Sequence, residues 1–182
     1  MPEVLTTSVE GRKVAWRVVG DGPPAILLHG GHGSWRHWAR NIASWSGVRR
    51  LLIPDMPGFG DSDDSPFADM AGFVGLLAKS IDQLPTSDGS VDLVGFSFGG
   101  LAAAHLAWGD ADVTVTPAGI PDIIHVSRPN AGAQCADGRT RVCVVPAAGH
   151  WGQYEAGQSV NELLLQLWQD TENSLAGAGR GA

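Results

Sequence analysis

Basic residues are scarce in this sequence. Twelve Lys and Arg stand against 19 Asp and Glu, for a net charge of −7, and the basic residues gather nowhere into a cluster. A surface of that sign repels a polyanion, so nucleic acid is excluded as the expected partner. Long apolar runs are missing too. No stretch approaches the ~18 apolar residues of a membrane span, and the first residues show no basic segment followed by an apolar run of signal length. The expectation is no membrane association and, by default, a cytoplasmic location. Cysteine is confined to Cys135 and Cys143. Without CxxC spacing or a second pair, they read as ordinary thiols rather than a zinc site, with a bridge only in an oxidising compartment. His32, His37, His105 and His125 have no ligand-like spacing either, and no metal is expected.

What the sequence does hold is glycine, 25 of 182 residues, alongside 43% apolar and 17% charged residues. That profile suits a compact chain with many tight turns. The length implies one domain over residues 1–175 that buries about two-thirds of its unfolded surface. A flexible tail is expected over 176–182. Val4 to Thr7 and Lys13 to Val19 read as two strands joined by a turn at Glu10-Gly11, forming an antiparallel edge. The runs Ala25 to Leu28, Leu51 to Ile53, Val91 to Val94 and Val142 to Val145 are short and nearly all apolar, the pattern of parallel strands covered on both faces.

Between these runs lie helical periodicities, as parallel crossovers require. Trp38, Ile42 and Trp45 share one face of a first helix. In a second, Met70, Phe73, Val74, Leu77, Ile81 and Leu84 recur at spacings of three and four until Pro85. A last helix is expected to start at a capping box of Ser159 and Glu162, with Val160, Leu163, Leu164, Leu167 and Trp168 on one stripe. Residues 130–138 read as a flexible connection. The expected fold is α/β, a mostly parallel sheet flanked by helices on both faces.

The most specific local signal is Gly95-Phe96-Ser97-Phe98-Gly99, directly after the strand ending at Val94 and directly before the helix-forming run Leu101 to Leu106. A serine on such a sharp turn sits in strained backbone and needs small neighbours two residues away on either side. Its hydroxyl then projects as a nucleophile, and the Phe98 amide at the helix N-terminus points to where an oxyanion would form. A second oxyanion donor is expected from His29-Gly30-Gly31-His32-Gly33 after the strand at Leu28, where glycines admit close approach; Gly31 is the candidate. His29 itself reads as a hydrogen-bonding scaffold. For the general base, His150 in Ala148-Gly149-His150-Trp151 follows a late strand and precedes the last helix, from where a histidine can take the serine's proton. Gly30, Trp35 and Trp151 are candidates to line a substrate pocket. Asp61, Asp63 and Asp64 read as a solvated loop.

These blocks carry a resemblance. Leu28-His29-Gly30-Gly31 with Trp35 and Trp38, Asp55-Met56-Pro57-Gly58-Phe59-Gly60-Asp61-Ser62, Val94 through Gly100, and Ala148 to Trp151 with Tyr154-Glu155 together resemble the α/β-hydrolase superfamily. The chain looks most like lid-bearing esterases and carbon–carbon bond hydrolases of the meta-cleavage-product type. The resemblance spans residues 10 to 108 and 140 to 170. It implies a chain order of serine, acid, histidine, which favours His150. The middle departs from the family pattern: Trp108-Gly109-Asp110-Ala111-Asp112, similar to the family's acid motif, arrives almost at once after the elbow helix. A strand, the lid and a flanking helix are therefore expected to be missing, giving a reduced, lid-less form of the fold.

By that resemblance Asp112 is the acid that orients His150. Only fourteen residues separate it from Ser97. At ~1.5 Å per helical and ~3.3 Å per strand residue, a descent and return barely fit, so Asp110 and Asp122 stay as alternatives. The implied activity is hydrolysis of small carboxylic esters through an acyl-enzyme, with no cofactor and an open, weakly active site. Its rivals are carbon–carbon bond hydrolysis and a remnant or binding protein that keeps the fold without a working triad. Apolar surface bared around Leu101 to Leu106 and residues 113–124 would favour a homodimer.

Overall fold

The chain enters its sheet through a hairpin. In the computed structural model, which describes residues 2–86, 91–108 and 148–178, β1 (Glu3–Val9) and β2 (Arg12–Val19) pair antiparallel from Glu3↔Val18 to Val9↔Arg12. Glu10 and Gly11 between them have φ of 52° and 77°. Two successive left-handed residues make the two-residue turn whose twist matches that of the flanking strands. The turn expected at Glu10-Gly11 is there.

Two compact units divide the chain, Met1–Asp112 and Val113–Ala182. In the first, β3 (Pro24–Leu28), β4 (Arg50–Pro54) and β5 (Asp92–Gly95) join the hairpin in a five-stranded sheet of order β1-β2-β4-β3-β5. β3 runs parallel to both β4 and β5, while β2 meets β4 antiparallel. The unbroken apolar runs follow from this centre. Ile26, Leu28 and Leu52 join Val14, Trp16 and Val18 in a buried cluster with Phe73, Val74, Leu77 and Ala102. The alternate residues Ala25, Leu27, Leu51 and Ile53 point to the opposite face and are also fully buried.

α2 (Met70–Ile81) supplies the helical part of that cluster. Its N-terminus is capped by Asp69, whose carboxylate accepts the Gly72 N–H at 2.8 Å. Leu84 lies in the turn beyond and is still buried. A buried polar triangle ties the helix to the hairpin: the Trp16 indole N–H donates to the Thr7 and Ser80 hydroxyls, both at 3.1 Å. The helix expected through Trp38 and Trp45 is instead two short pieces, a 3-10 turn (Trp35–Trp38) and α1 (Ile42–Trp45). Tight i→i+3 bonds, from Ala39 to Arg36 and from Asn41 to Trp38, break the winding. The shared face survives, since Trp38 and Trp45 are buried with ring centroids 5.9 Å apart.

After β5 comes α3 (Phe98–Trp108). Leu101 and Leu106 on it are half-buried rather than bared. The second unit holds α4 (Gly152–Glu155) and α5 (Gly157–Ala178). Ser159 does not cap α5. The chain is already helical before it, the Val160 N–H bonding the Ala156 carbonyl, and Glu162 accepts from the Gln158 side-chain amide instead. On the expected stripe Trp168 is buried, but Leu163 and Leu167 are exposed. α5 continues to Ala178, so residues 176–178 of the expected tail are helical. The expected strand Val142 to Val145, the connection 130–138 and both cysteines lie outside the described residues. No helix among the described residues is long and apolar enough to cross a membrane.

Candidate active site

β5 ends at Gly95 and α3 begins at Phe98, so Ser97 occupies the corner between them. Its φ of 52° is left-handed, a conformation that costs a residue with a Cβ about 1–3 kcal/mol. The corner is held by the Gly100 and Leu101 N–H groups on the Ser97 carbonyl and by the Gly99 N–H on the Phe96 carbonyl. Room is minimal on both sides. A Cβ at Gly95 would lie 2.4 Å from the Gly99 carbonyl oxygen, and one at Gly99 would lie 2.1 Å from that of Leu28. This is the crowding expected of an elbow serine. As the first residue of α3, Phe98 has an N–H among those without an intrahelical acceptor.

The glycine loop after β3 lies against this corner. A Cβ at Gly30 would come within 2.8 Å of the Phe96 ring and 3.4 Å of the Ser97 Cβ, and one at Gly31 within 3.8 Å of the Phe98 Cβ. Gly30, Gly31, Ser97 and Phe98 are thus together. His29 is fully buried below them. The Met56 N–H donates to its Nε2 at 2.9 Å, which leaves the ring proton on Nδ1 to be donated to the Gly30 carbonyl at 2.7 Å. His29 is the scaffold it was expected to be.

Two further residues shape the loop. The Gly30 N–H donates to Nδ1 of His37 at 3.2 Å. The buried Asp55 carboxylate accepts from the N–H groups of Trp35 (2.8 Å) and Asp61 (3.0 Å), pinning the two loops together. Trp35 is half-buried, with the Arg17 and Arg36 guanidinium groups 5.7 and 5.9 Å from its ring centroid. Asp61 and Asp63, expected to be merely solvated, are tethered: Asp61 pairs with Arg17, and Asp63 accepts the Lys13 N–H at 2.8 Å. Nothing in the sequence pattern singled out His37, and Asp55 stood in a recognised block without a role.

In the other unit, His150 is exposed in the loop before α4. The Glu155 carboxylate holds the amides on either side of it, accepting from Gly149 at 2.6 Å and Trp151 at 3.3 Å. The His150 and Trp151 rings meet edge to face at 6.5 Å, and Trp151 is exposed. Asp110, Asp112 and Asp122 lie outside the described residues. Among the described residues no group of three or more His, Cys, Asp or Glu could hold a metal ion.

Burial holds the His29 imidazole below its ordinary value near 6.5, against the opposing pull of the Gly30 carbonyl; burial does the same to His37. The folded chain therefore takes up these protons less readily than the unfolded chain. Stability is full above about pH 6.5 and falls as pH drops from there through the lowered folded values. Urea midpoints should hold from about pH 7.5 to about pH 6.5 and decline below that, with a shallower decline in His29→Gln. A flat profile in the lower range would contradict this account.

Sequence comparison adds a family to this geometry. The model of the Alpha/beta hydrolase family matches residues 25–141. A pimeloyl-[acyl-carrier protein] methyl ester esterase from Vibrio campbellii is 30% identical over 92 residues, covering 50% of this chain and 34% of the relative. A 2-hydroxy-6-oxo-2,4-heptadienoate hydrolase from Pseudomonas putida is 38% identical over 94 residues, covering 49% of this chain and 33% of the relative. The chain spans about a third of the length of the curated relatives it matches. Among solved structures, an epoxide hydrolase from Vigna radiata superposes with a TM-score of 0.53 at 29% identity, over 59% of this chain and 36% of that one. With an open mixed sheet, flanking helices and a family match over more than half its length, this chain belongs to the alpha/beta hydrolase family.

Proposed function

We propose that this hydrolase cleaves small carboxylic esters through an acyl-enzyme on Ser97. The observation that carries the reading is the left-handed Ser97 at the β5–α3 corner with Gly31 beside Phe98. In the proposed reaction His150 takes the Ser97 proton as the hydroxyl oxygen attacks the ester carbonyl. The Gly31 and Phe98 amides receive the oxyanion, and His150 returns the proton to the departing alcohol. Water then attacks the acyl-enzyme by the same route, with no metal or organic cofactor. Asp112 is the proposed partner of His150, and Asp110 and Asp122 are its alternatives. Gly30, Trp35 and Trp151 are the proposed pocket residues.

The elbow residue also sorts the activities named for the relatives. A serine that opened an epoxide would be left as an alkyl ether, which water does not release, whereas an acyl-serine is hydrolysable. Carbon–carbon bond hydrolysis stays as a second reading because the relative named for a dienoate substrate is 38% identical. The test is hydrolysis of nitrophenyl esters from acetate to octanoate, with a fluorophosphonate label located by mass spectrometry. Turnover of the short esters and a label on Ser97 are expected. Turnover of a vinylogous diketone but of no ester would favour the second reading. Neither turnover nor label would leave the remnant reading standing.

A further inference from the structure

We infer that His37 is the positioning residue of the oxyanion loop, selecting Gly31 rather than Gly30 as the amide presented to the reacting carbonyl; this rests on the reading of Ser97 as nucleophile. Gly30 and Gly31 both lie against the elbow, where a Cβ on Gly30 would come 3.4 Å from the Ser97 Cβ and one on Gly31 3.8 Å from the Phe98 Cβ. The Gly30 N–H is engaged by Nδ1 of His37, seven residues on, at 3.2 Å. To accept that bond the imidazole must be neutral with its proton on Nε2. With Gly30 held this way, the Gly31 N–H becomes the loop's donor toward the oxyanion, opposite Phe98.

The ring is well placed to impose that choice. It meets His29 edge to face at 5.9 Å and Phe96 at 5.7 Å, so it touches both the scaffold beneath the loop and the residue preceding the nucleophile. Gly33 packs closely against it, since a Cβ there would fall 2.0 Å from the ring. A side chain at 33 would drive the imidazole off Gly30. The Gly31 donor belongs to the Gly30–Gly31 peptide, whose carbonyl His29 Nδ1 holds at 2.7 Å. His37 fixes the peptide before it, so with Gly30 abutting the Phe96 ring and the Ser97 Cβ, release of the Gly30 amide would leave the Gly31 donor tethered from one side alone. Burial lowers the His37 pKa, which favours the neutral, accepting form that the Gly30 bond requires.

The experiment compares wild type with His37→Phe and His37→Asn on nitrophenyl acetate and on a trifluoromethyl ketone, a mimic of the tetrahedral adduct. Phe fills the ring's space without an acceptor. Asn supplies an oxygen at the reach of Nδ1. His37→Phe should lower kcat by about 100-fold, as for loss of one oxyanion donor, with KM little changed and the ketone bound more weakly in proportion. His37→Asn should recover most of both. Wild-type kcat in His37→Phe, with Ser97 still taking the fluorophosphonate label, would overturn the inference and leave the serine reading intact. Equal losses in both variants, with raised KM and a lowered melting temperature, would overturn it as well, reducing His37 to a packing residue. A wild-type chain that neither hydrolyses ester nor takes the label would sink the serine reading and this inference with it.

Discussion

Replacing Ser97 by Ala is expected to lower kcat/KM for a short-chain nitrophenyl ester by up to about a millionfold, to the rate left by the oxyanion donors and binding alone. Alanine keeps a Cβ at the same left-handed corner, so the glycine loop and the Phe98 amide should stay where they are and only the attacking oxygen is lost. Ser97→Gly separates strain from chemistry. It should be as inactive, yet more stable by about 1 kcal/mol, because glycine adopts a φ of 52° without the cost borne by serine, less its own larger entropy of ordering. Urea denaturation of the three proteins beside their esterase rates checks both halves. An active Ser97→Ala protein would remove the nucleophile from the proposal. A Ser97→Gly protein no more stable than wild type would mean that the corner stores no strain.

Much of this arrangement is legible in the residues because each feature has a local cause. Glu10-Gly11 reads as a tight turn because alternating strands flank it, and both residues are left-handed. Ala25 to Leu28 and Leu51 to Ile53 read as parallel strands because both faces of such strands are buried, which the full burial of Ile26 and Leu27 illustrates. Gly95 and Gly99 point to the elbow through their spacing about Ser97 together with the strand before it and the helix after it. What was not legible depends on contacts between residues far apart in the chain or on the state of the chain just upstream. His37 acquires its place from Gly30 and Phe96, and no periodicity announces that. The shared face of Trp38 and Trp45 is visible in their spacing but the break in the helix is not, since the i→i+3 bonds that shorten it leave that spacing intact. Ser159 carried a capping signature that went unused because α4 hands over to α5 at Ala156.

Gly99→Ala should be among the most damaging small substitutions in the first unit, costing about 3 kcal/mol or more of unfolding free energy. The added methyl would lie 2.1 Å from the Leu28 carbonyl oxygen and 2.5 Å from that of His29. Neither can swing aside as a side chain would. The Leu28 carbonyl accepts the Phe96 N–H at 3.0 Å, and the His29 ring is fixed by Met56 and Gly30. Relief therefore requires α3 to lift from β3, which opens the cluster around Ala102 and carries the Phe98 amide away from Gly31. Activity should fall further than the folded fraction does. Gly75→Ala provides the contrast. It lies within α2 with nothing inside 4 Å of a Cβ, so the same methyl should stabilise by about 0.5–1 kcal/mol through helix propensity. Urea midpoints for the pair, read with the slopes to exclude a change in the unfolded state, decide the matter. If Gly99→Ala unfolds like wild type, the contact between helix and strand has slack. The small residue two places beyond Ser97 would then serve the approach of substrate rather than the packing of the elbow.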